Sequence, residues 1–256
     1  MVHDWAIIGG GVVGLSVAYG LARRGRSVLV LDGEDRDHRA SRGNFGLIWV
    51  QSKGLDNPAY ARWTRGSARL WRDFAAGLAD ATGADLSLQQ RGGYEFFDEA
   101  VMEARAARYD KLRADLGGDY PYEILGHNAL KREEPAIGPR VAGALFHHED
   151  GHVNPLHLLR AFAAEVRRMG GTVLTGQTVT DAAKPDEFLL TTATGQTFRA
   201  DRVVMAAGLG AARLGPQLGF RAPIRPQRGQ VMITERLPPL LSRPSGILRQ
   251  VNEGGI

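Results

Sequence analysis

Gly9, Gly11 and Gly14, followed by Asp32, have the types and spacing that receive a phosphate-bearing dinucleotide. An apolar run, Ala6-Ile7-Ile8, breaks into Gly9-Gly10-Gly11 and resumes at helical spacing through Leu15, Ala18, Leu21 and Ala22. Gly9 can take the tight turn out of a strand. Gly11 has no Cβ, so a pyrophosphate can approach the amides at the helix N-terminus, where the dipole favours anions. Gly14 and Ala18 are small enough for the helix to lie close to a sheet, and Gly25 stops it. Val28-Leu29-Val30-Leu31 then ends in Asp32, 18 residues after Gly14. A carboxylate there accepts ribose hydroxyls and repels a 2′-phosphate. The pattern leaves NAD and FAD both open, and its plain alternative is an ordinary βαβ core with a glycine turn.

The elements that must position these residues are a strand, a helix and a second strand within the first 32 positions. Composition frames the rest. With 256 residues, a net charge of +4 and arginines spread along the chain, the protein carries no dense basic cluster of the kind that binds nucleic acid. No apolar run approaches the ~20 residues of a membrane span. The chain enters a strand almost at once, leaving no room for a signal peptide, so a cytoplasmic location is expected. The absence of cysteine excludes disulfides, thiolate nucleophiles, Cys-ligated metals and cysteinyl-linked flavin.

Further along, Ala40 to Gln51 places small and hydrogen-bonding residues first and apolar ones after. That order suits either a segment beside a large planar ligand or a turn into a buried strand. Asn57-Pro58 predicts a helix start. Tyr60, Trp63, Ser67, Leu70, Trp71, Phe74 and Leu78 predict one long helix to Thr82-Gly83, with an aromatic face in the core. Strands are expected at 86–88, 92–97, 122–125 and 141–147, with helices at 99–116 and 128–134. A helix follows Asn154-Pro155, then strands at 172–174, 177–181, 187–193, 196–199, 202–208 and 229–234. Ile247 to Val251 alternates like a strand, and the turn after it leads to a strand of one residue at Ile256.

The motifs together resemble the D-amino-acid-oxidase-like flavoproteins, including glycine and sarcosine oxidases, D-amino acid dehydrogenase, and the flavin subunits of opine and hydroxyproline dehydrogenases. The resemblance rests on Gly9–Asp32, Ser41-Arg42-Gly43-Asn44-Phe45-Gly46-Leu47, Asp150–Pro155, Val179, Ala206-Ala207-Gly208 and Pro226-Gln227-Arg228-Gly229-Gln230. It implies an α/β fold: a Rossmann-like FAD-binding domain with an interleaved α+β substrate domain, C-terminally incomplete. The FAD-binding parts are expected at 1–84 and 149–218, and the substrate-domain parts at 85–148 and 219–256.

By the same resemblance FAD is bound non-covalently. Gly9, Gly11, Val12 and Val13 would hold the pyrophosphate, and Asp32, where the family usually has Glu, the adenosine ribose. Ser41, Arg42 and Asn44 would line the phosphate and ribityl chain, and Gly46 and Leu47 the flavin ring. Val179 would pair with adenine through its backbone, with Ala207 and Gly208 near the pyrophosphate. The implied reaction is oxidation of a C–N bond in an amino acid or secondary amine by hydride transfer to flavin N5.

Trp49, Gln51 and Arg249 are the candidates for substrate contact; their plain readings are core tryptophan, surface glutamine and exposed strand arginine. His147-His148-Glu149-Asp150-Gly151-His152 resembles a metal cluster, but residues alternating around a turn point different ways, so a solvated strand end is expected and no metal. Two rival functions stand beside the first: an NAD-dependent dehydrogenase, and a non-catalytic or incomplete flavin subunit. Either flavin reading admits a partner subunit or electron acceptor.

Overall fold

The computed structural model describes residues 2–33, 39–233 and 235–247. In chain order the strands begin β1 (Val2–Ile8), β2 (Val28–Leu31), β3 (Leu47–Ile48), β4 (Gly93–Phe97), β5 (Glu123–Gly126) and β6 (Gly143–His147). They continue with β7 (Gly151–His152), β8 (Thr172–Leu174), β9 (Val179–Ala183), β10 (Phe188–Thr192), β11 (Thr197–Met205) and β12 (Ser245–Ile247). The helices are α1 (Val12–Ala22), α2 (Pro58–Arg69), α3 (Trp71–Thr82), α4 (Glu99–Asp115), α5 (His127–Glu133), α6 (Pro155–Arg168) and α7 (Ala211–Leu214).

The chain divides into two compact units. One comprises 1–44, 77–86 and 154–232, and the other 45–76, 87–153 and 233–256. The sequence boundary at 84 put 45–76 in the nucleotide-binding part, whereas they group with the second unit. Residues 149–153 likewise group with the second unit, and 219–232 with the first.

The first unit is built on a six-stranded sheet in the order β8-β2-β1-β11-β10-β9. Its first four strands are parallel, and β11, β10 and β9 run antiparallel. All four residues of β2 are buried, as a continuous apolar run is in a covered parallel sheet. Register aligns Ile8 with both Leu31 and Met205. Gly9, Asp32 and Ala206 therefore follow the carboxyl ends of three neighbouring strands, where ligands bind in open parallel sheets. The core gathers Ala6, Ile8, Leu29, Leu31, Val179, Leu190 and Leu214. Helices α1 and α6 pack together, with Tyr19 and Phe162 ring centroids 5.6 Å apart.

The second unit holds the sheet β12-β4-β6-β5 and the small pair β3-β7. Every residue of β4 and β6 is buried, Glu95 and His147 included. Tyr94, Phe96, Phe146, Leu130 and Ile137 form its core.

Several sequence expectations change. The long helix is two, α2 and α3, separated at Leu70, whose N–H bonds Ser67 O in a tightened turn. Its aromatic face is not the core of α2: Trp63 and Leu70 are 71% and 68% exposed, while Ala61, Arg65 and Ala68 are buried. Residues 86–88 form no strand, because Ser87 sits at φ 51°, outside the extended region. The strands read at 196–199 and 202–208 are one, β11, since its register along β1 continues from Arg199 through Met205. Residues 229–233 are irregular. A strand needs partners for its backbone groups, none of the described strands pairs with this stretch, and Met232 and Ile233 lie exposed. Of the strand read at 247–251 only Ile247 is among the described residues, as the last residue of β12, which runs parallel to β4; Arg249 lies outside them.

Candidate functional site

In the first unit the glycine turn is dictated by close packing. Gly9 has φ 111°, and a Cβ built there would lie 2.4 Å from Ala206 O, just past the end of the neighbouring β11. A Cβ at Gly14 would lie 1.9 Å from Gly9 O, so α1 can seat on the turn only with glycine there. Gly11 differs. It is the N-cap of α1, has ordinary dihedrals, and its nearest neighbour to a built Cβ is Ser41 Oγ at 2.9 Å. Gly11 offers the helix no side-chain cap, and the first turn carries no acid. Ser41 Oγ accepts the Val12 N–H at 3.0 Å. Val13 is 62% exposed at the same end. A bare glycine N-cap on an eleven-residue helix with a hydroxyl beside it has the chemistry of a pyrophosphate seat.

Asp32 is buried, and its Oδ1 accepts from Gly10 N at 2.9 Å and from Arg39 Nη1 at 2.8 Å. Its backbone bonds Leu174 O and Gln177 N, which fixes the carboxylate beside the turn. Both of these contacts use Oδ1, and neither uses Oδ2. Arg42 is exposed, and Asn44 Nδ2 closes its own turn onto Ala40 O at 2.9 Å. Ala207 and Gly208 follow β11, with Gly208 at φ 55° and open space where a Cβ would stand. Val179 is buried in β9, and its carbonyl is held by Arg213 Nη2 at 2.7 Å.

In the second unit Gly46, at φ 65°, accepts Val153 N–H on its carbonyl, and Leu47 pairs with His152 in the β3–β7 ladder. Leu47 is half-exposed while Ile48 is buried, so the ladder presents one apolar side chain outward. Trp49 lies over two glycines: its ring is 2.8 Å from a Cβ built at Gly93 and 3.0 Å from one built at Gly246. Gln51 is not a surface residue. It is fully buried, with Nε2 donating to Gly93 O at 2.8 Å and to Asp150 Oδ2 at 2.6 Å.

The histidine-rich run also departs from a solvated strand end. His147 and Asp150 are fully buried. Burial pushes the His147 imidazole down to about 4, so it is neutral, edge-on to Tyr120. His148 faces Glu123 at 2.7 Å, and Glu149 receives Arg65 and Arg69. Burial opposes the Glu149 charge, but the bonds from Arg65 and Arg69 outweigh it and hold the carboxyl below its usual range. Among the described residues, no three His, Asp or Glu side chains converge on a point that could hold a metal ion. Burial also pushes Asp150 up to about 7, against the bonds from Val50 and Gln51 that favour its charge.

Sequence reasoning missed Arg65 and Asp150 as organising residues. Arg65, 3% exposed, donates to Glu149 Oε2 at 2.9 Å, to Asp119 O and to Asp119 Oδ1. Nothing local distinguishes it from the exposed arginines of α2. The available signal was its i+4 spacing from Ala61, the small residue of a close-packed face.

A sheet with four parallel strands and a glycine turn at their carboxyl ends, its chain interleaved with that of a second α+β unit, is the framework of dinucleotide-binding proteins. The family model of FAD dependent oxidoreductases matches residues 4–255, and the chain belongs to that family. This settles the NAD-or-FAD ambiguity of the first motif in favour of FAD. The chain is 38% identical over 255 residues to an opine oxidase subunit of Rhizobium meliloti and 40% to the corresponding subunit of Agrobacterium tumefaciens (strain Ach5). In each case 99% of this chain covers 69% of the relative. A crystal structure of glycine oxidase from Geobacillus kaustophilus superimposes with a TM-score of 0.81 at 26% identity, covering 96% of this chain and 66% of that one. The glycine oxidase sequence of that organism is 27% identical, and this chain spans 63% of its length. No helix among the described residues is long and apolar enough to cross a membrane.

Proposed function

We propose that this chain supplies the FAD-binding framework of an enzyme that oxidises the C–N bond of an amino acid or secondary amine of the opine type. The observation that carries the cofactor assignment is the bare Gly11 N-cap of α1, with Ser41 Oγ on the Val12 N–H and Asp32 beside Gly10. The substrate class rests on 38–40% identity, along nearly the whole chain, to two proteins named as opine oxidase subunits. Bound FAD supplies the hydride acceptor.

The chain's own residues bind and orient. Gly9, Gly11, Val12 and Val13 would form the pyrophosphate seat at the start of α1, with the Gly9 N–H spent on Leu31 O and the Val12 N–H on Ser41 Oγ, and Asp32 would accept the ribose hydroxyls. Ser41, Arg42 and Asn44 would follow the phosphate and ribityl chain, and Ala207 and Gly208 would leave room for it. Gly46 and Leu47 would stand at the flavin ring, with Trp49 as a candidate for the substrate side. The subunit naming of the relatives supports a partner chain in the working enzyme.

The test is the visible spectrum of the purified full-length protein with the mass of the released chromophore, followed by anaerobic bleaching with opines, hydroxyproline and D-amino acids. Flavin bands bleached by one of these classes are expected. A protein that stays colourless with added FAD removes the cofactor reading, and a flavin that no amine bleaches, even with its partner present, removes the substrate reading.

A further inference from the structure

We propose that Asp150 is a positioning residue: through Gln51 and the Val50 amide it fixes the Gly46–Gln51 segment in the shape that meets the flavin. This rests on the FAD reading above. Three groups of bonds from one unit converge on that short segment. Asp150 Oδ1 accepts the Val50 N–H at 2.5 Å, and Oδ2 accepts Gln51 Nε2 at 2.6 Å. Tyr120 donates its hydroxyl to Val50 O at 3.1 Å. Tyr109, whose hydroxyl donates to Glu95 at 2.6 Å, accepts the Ser52 N–H at 2.7 Å. The backbone after Asp150 completes the hold, with Gly151 and His152 pairing with Ile48 and Leu47, and Val153 N–H on Gly46 O.

Asp150 is the joint between these contacts. Its side chain holds positions 50 and 51 while its own chain direction supplies the strand that pairs with 47 and 48. Gly151 leaves no freedom to slide, since a Cβ there would lie 2.3 Å from Gln89 O. The amide of Gln51 has one permitted orientation. Flipped, Oε1 would face both Gly93 O and the Asp150 carboxylate, two acceptors, so the donor must point to them. In that orientation Oε1 is buried without a partner among the described residues. An unsatisfied buried oxygen destabilises the fold, a cost kept where the side chain must aim the backbone. The segment so clamped carries Leu47 outward and Trp49 onto its glycine floor.

The test uses two variants, Asp150→Asn and Gln51→Leu, with Tyr94→Phe as control. Asn at 150 keeps an acceptor for Val50 N–H but turns a second donor toward Gln51 Nε2. Tyr94→Phe breaks bonds to Glu133 and Arg243 elsewhere in the same unit. Amide hydrogen exchange over 46–52 is expected to accelerate in both test variants and not in the control. FAD affinity is expected to fall on the order of tenfold, with altered flavin band shape, while the control keeps both. Unchanged exchange, or faster exchange with wild-type FAD affinity and spectrum, overturns the proposal. If Asp150→Asn does not fold, Gln51→Leu carries the same reading. A wild-type protein that binds no FAD refutes the function reading instead, and exchange over 46–52 still reports whether the clamp exists.

Discussion

Replacing Gly9 and Gly11 separately by alanine should split folding from cofactor binding, although the two positions stand two residues apart in one turn. At Gly9 the added Cβ meets Ala206 O at 2.4 Å and Ala206 C at 2.8 Å, backbone atoms of β11's end that cannot step aside without moving the sheet. It must also hold φ 111° with a side chain. Left-handed strain of about 1–3 kcal/mol and overpacking of about 1–3 kcal/mol together imply a loss of roughly 2–6 kcal/mol. At about 2–4 °C per kcal/mol, that lowers the melting temperature by roughly 4–24 °C. At Gly11 the dihedrals are ordinary, and the Cβ meets only the movable Ser41 hydroxyl at 2.9 Å. Stability should change by less than about 1 kcal/mol. The methyl group would stand where the pyrophosphate must approach, so FAD affinity should fall by about 10–100-fold, or roughly 1.4–2.8 kcal/mol. The assay is thermal unfolding of the flavin-free protein beside titration of FAD by flavin fluorescence. A Gly11→Ala protein that binds FAD like wild type, or a Gly9→Ala protein as stable as wild type, refutes the account of the turn.

Three further outcomes follow from the same geometry. Asp32→Ala removes the acceptor of Gly10 N–H and Arg39, and FAD titration should show a loss of about 1.5–3 kcal/mol in binding, as for a charged hydrogen bond. Arg65→Met leaves the part-buried Glu149 with Arg69 alone and should cost about 2 kcal/mol in denaturant unfolding, whereas Arg69→Ala, at a half-exposed side chain, should cost under about 1 kcal/mol. Asp150, faced by Glu149 and Tyr120, has its folded-state pKa raised by burial to about 7, above the unfolded value near 4. Its contribution is therefore fully present in acid, below the unfolded value, and lost as pH rises through 7. Wild type measured against Asp150→Asn should lose about 3 kcal/mol between pH 5 and pH 8, and a constant difference would show that Asp150 titrates normally.

How much of this was legible beforehand follows from how local each feature is. The βαβ unit was readable because its causes lie within 32 residues: an apolar run, glycines at forced positions, a small-residue helix and a terminal acid. The caps at Asn57 and Asn154 were readable for the same reason, since each side chain bonds an amide two or three residues on. The family resemblance extended that reading along the chain.

What the tertiary structure decided is which face of an element is buried and which polar residue is enclosed. The Tyr60–Trp63–Leu70 stripe has the periodicity of a core face, yet the opposite face of α2 is buried, because Ala61 and Ala68 permit close approach and Arg65 finds Glu149 and Asp119 there. Gln51 and Asp150 are 99 positions apart, and no local pattern marks them as partners; only the meeting of β3 with β7 brings a glutamine amide onto a carboxylate. Sequence thus determined the nucleotide turn, whose interactions are short-range along the chain. Folding determined the clamp around residues 46–51, whose interactions exist only once distant strands have paired.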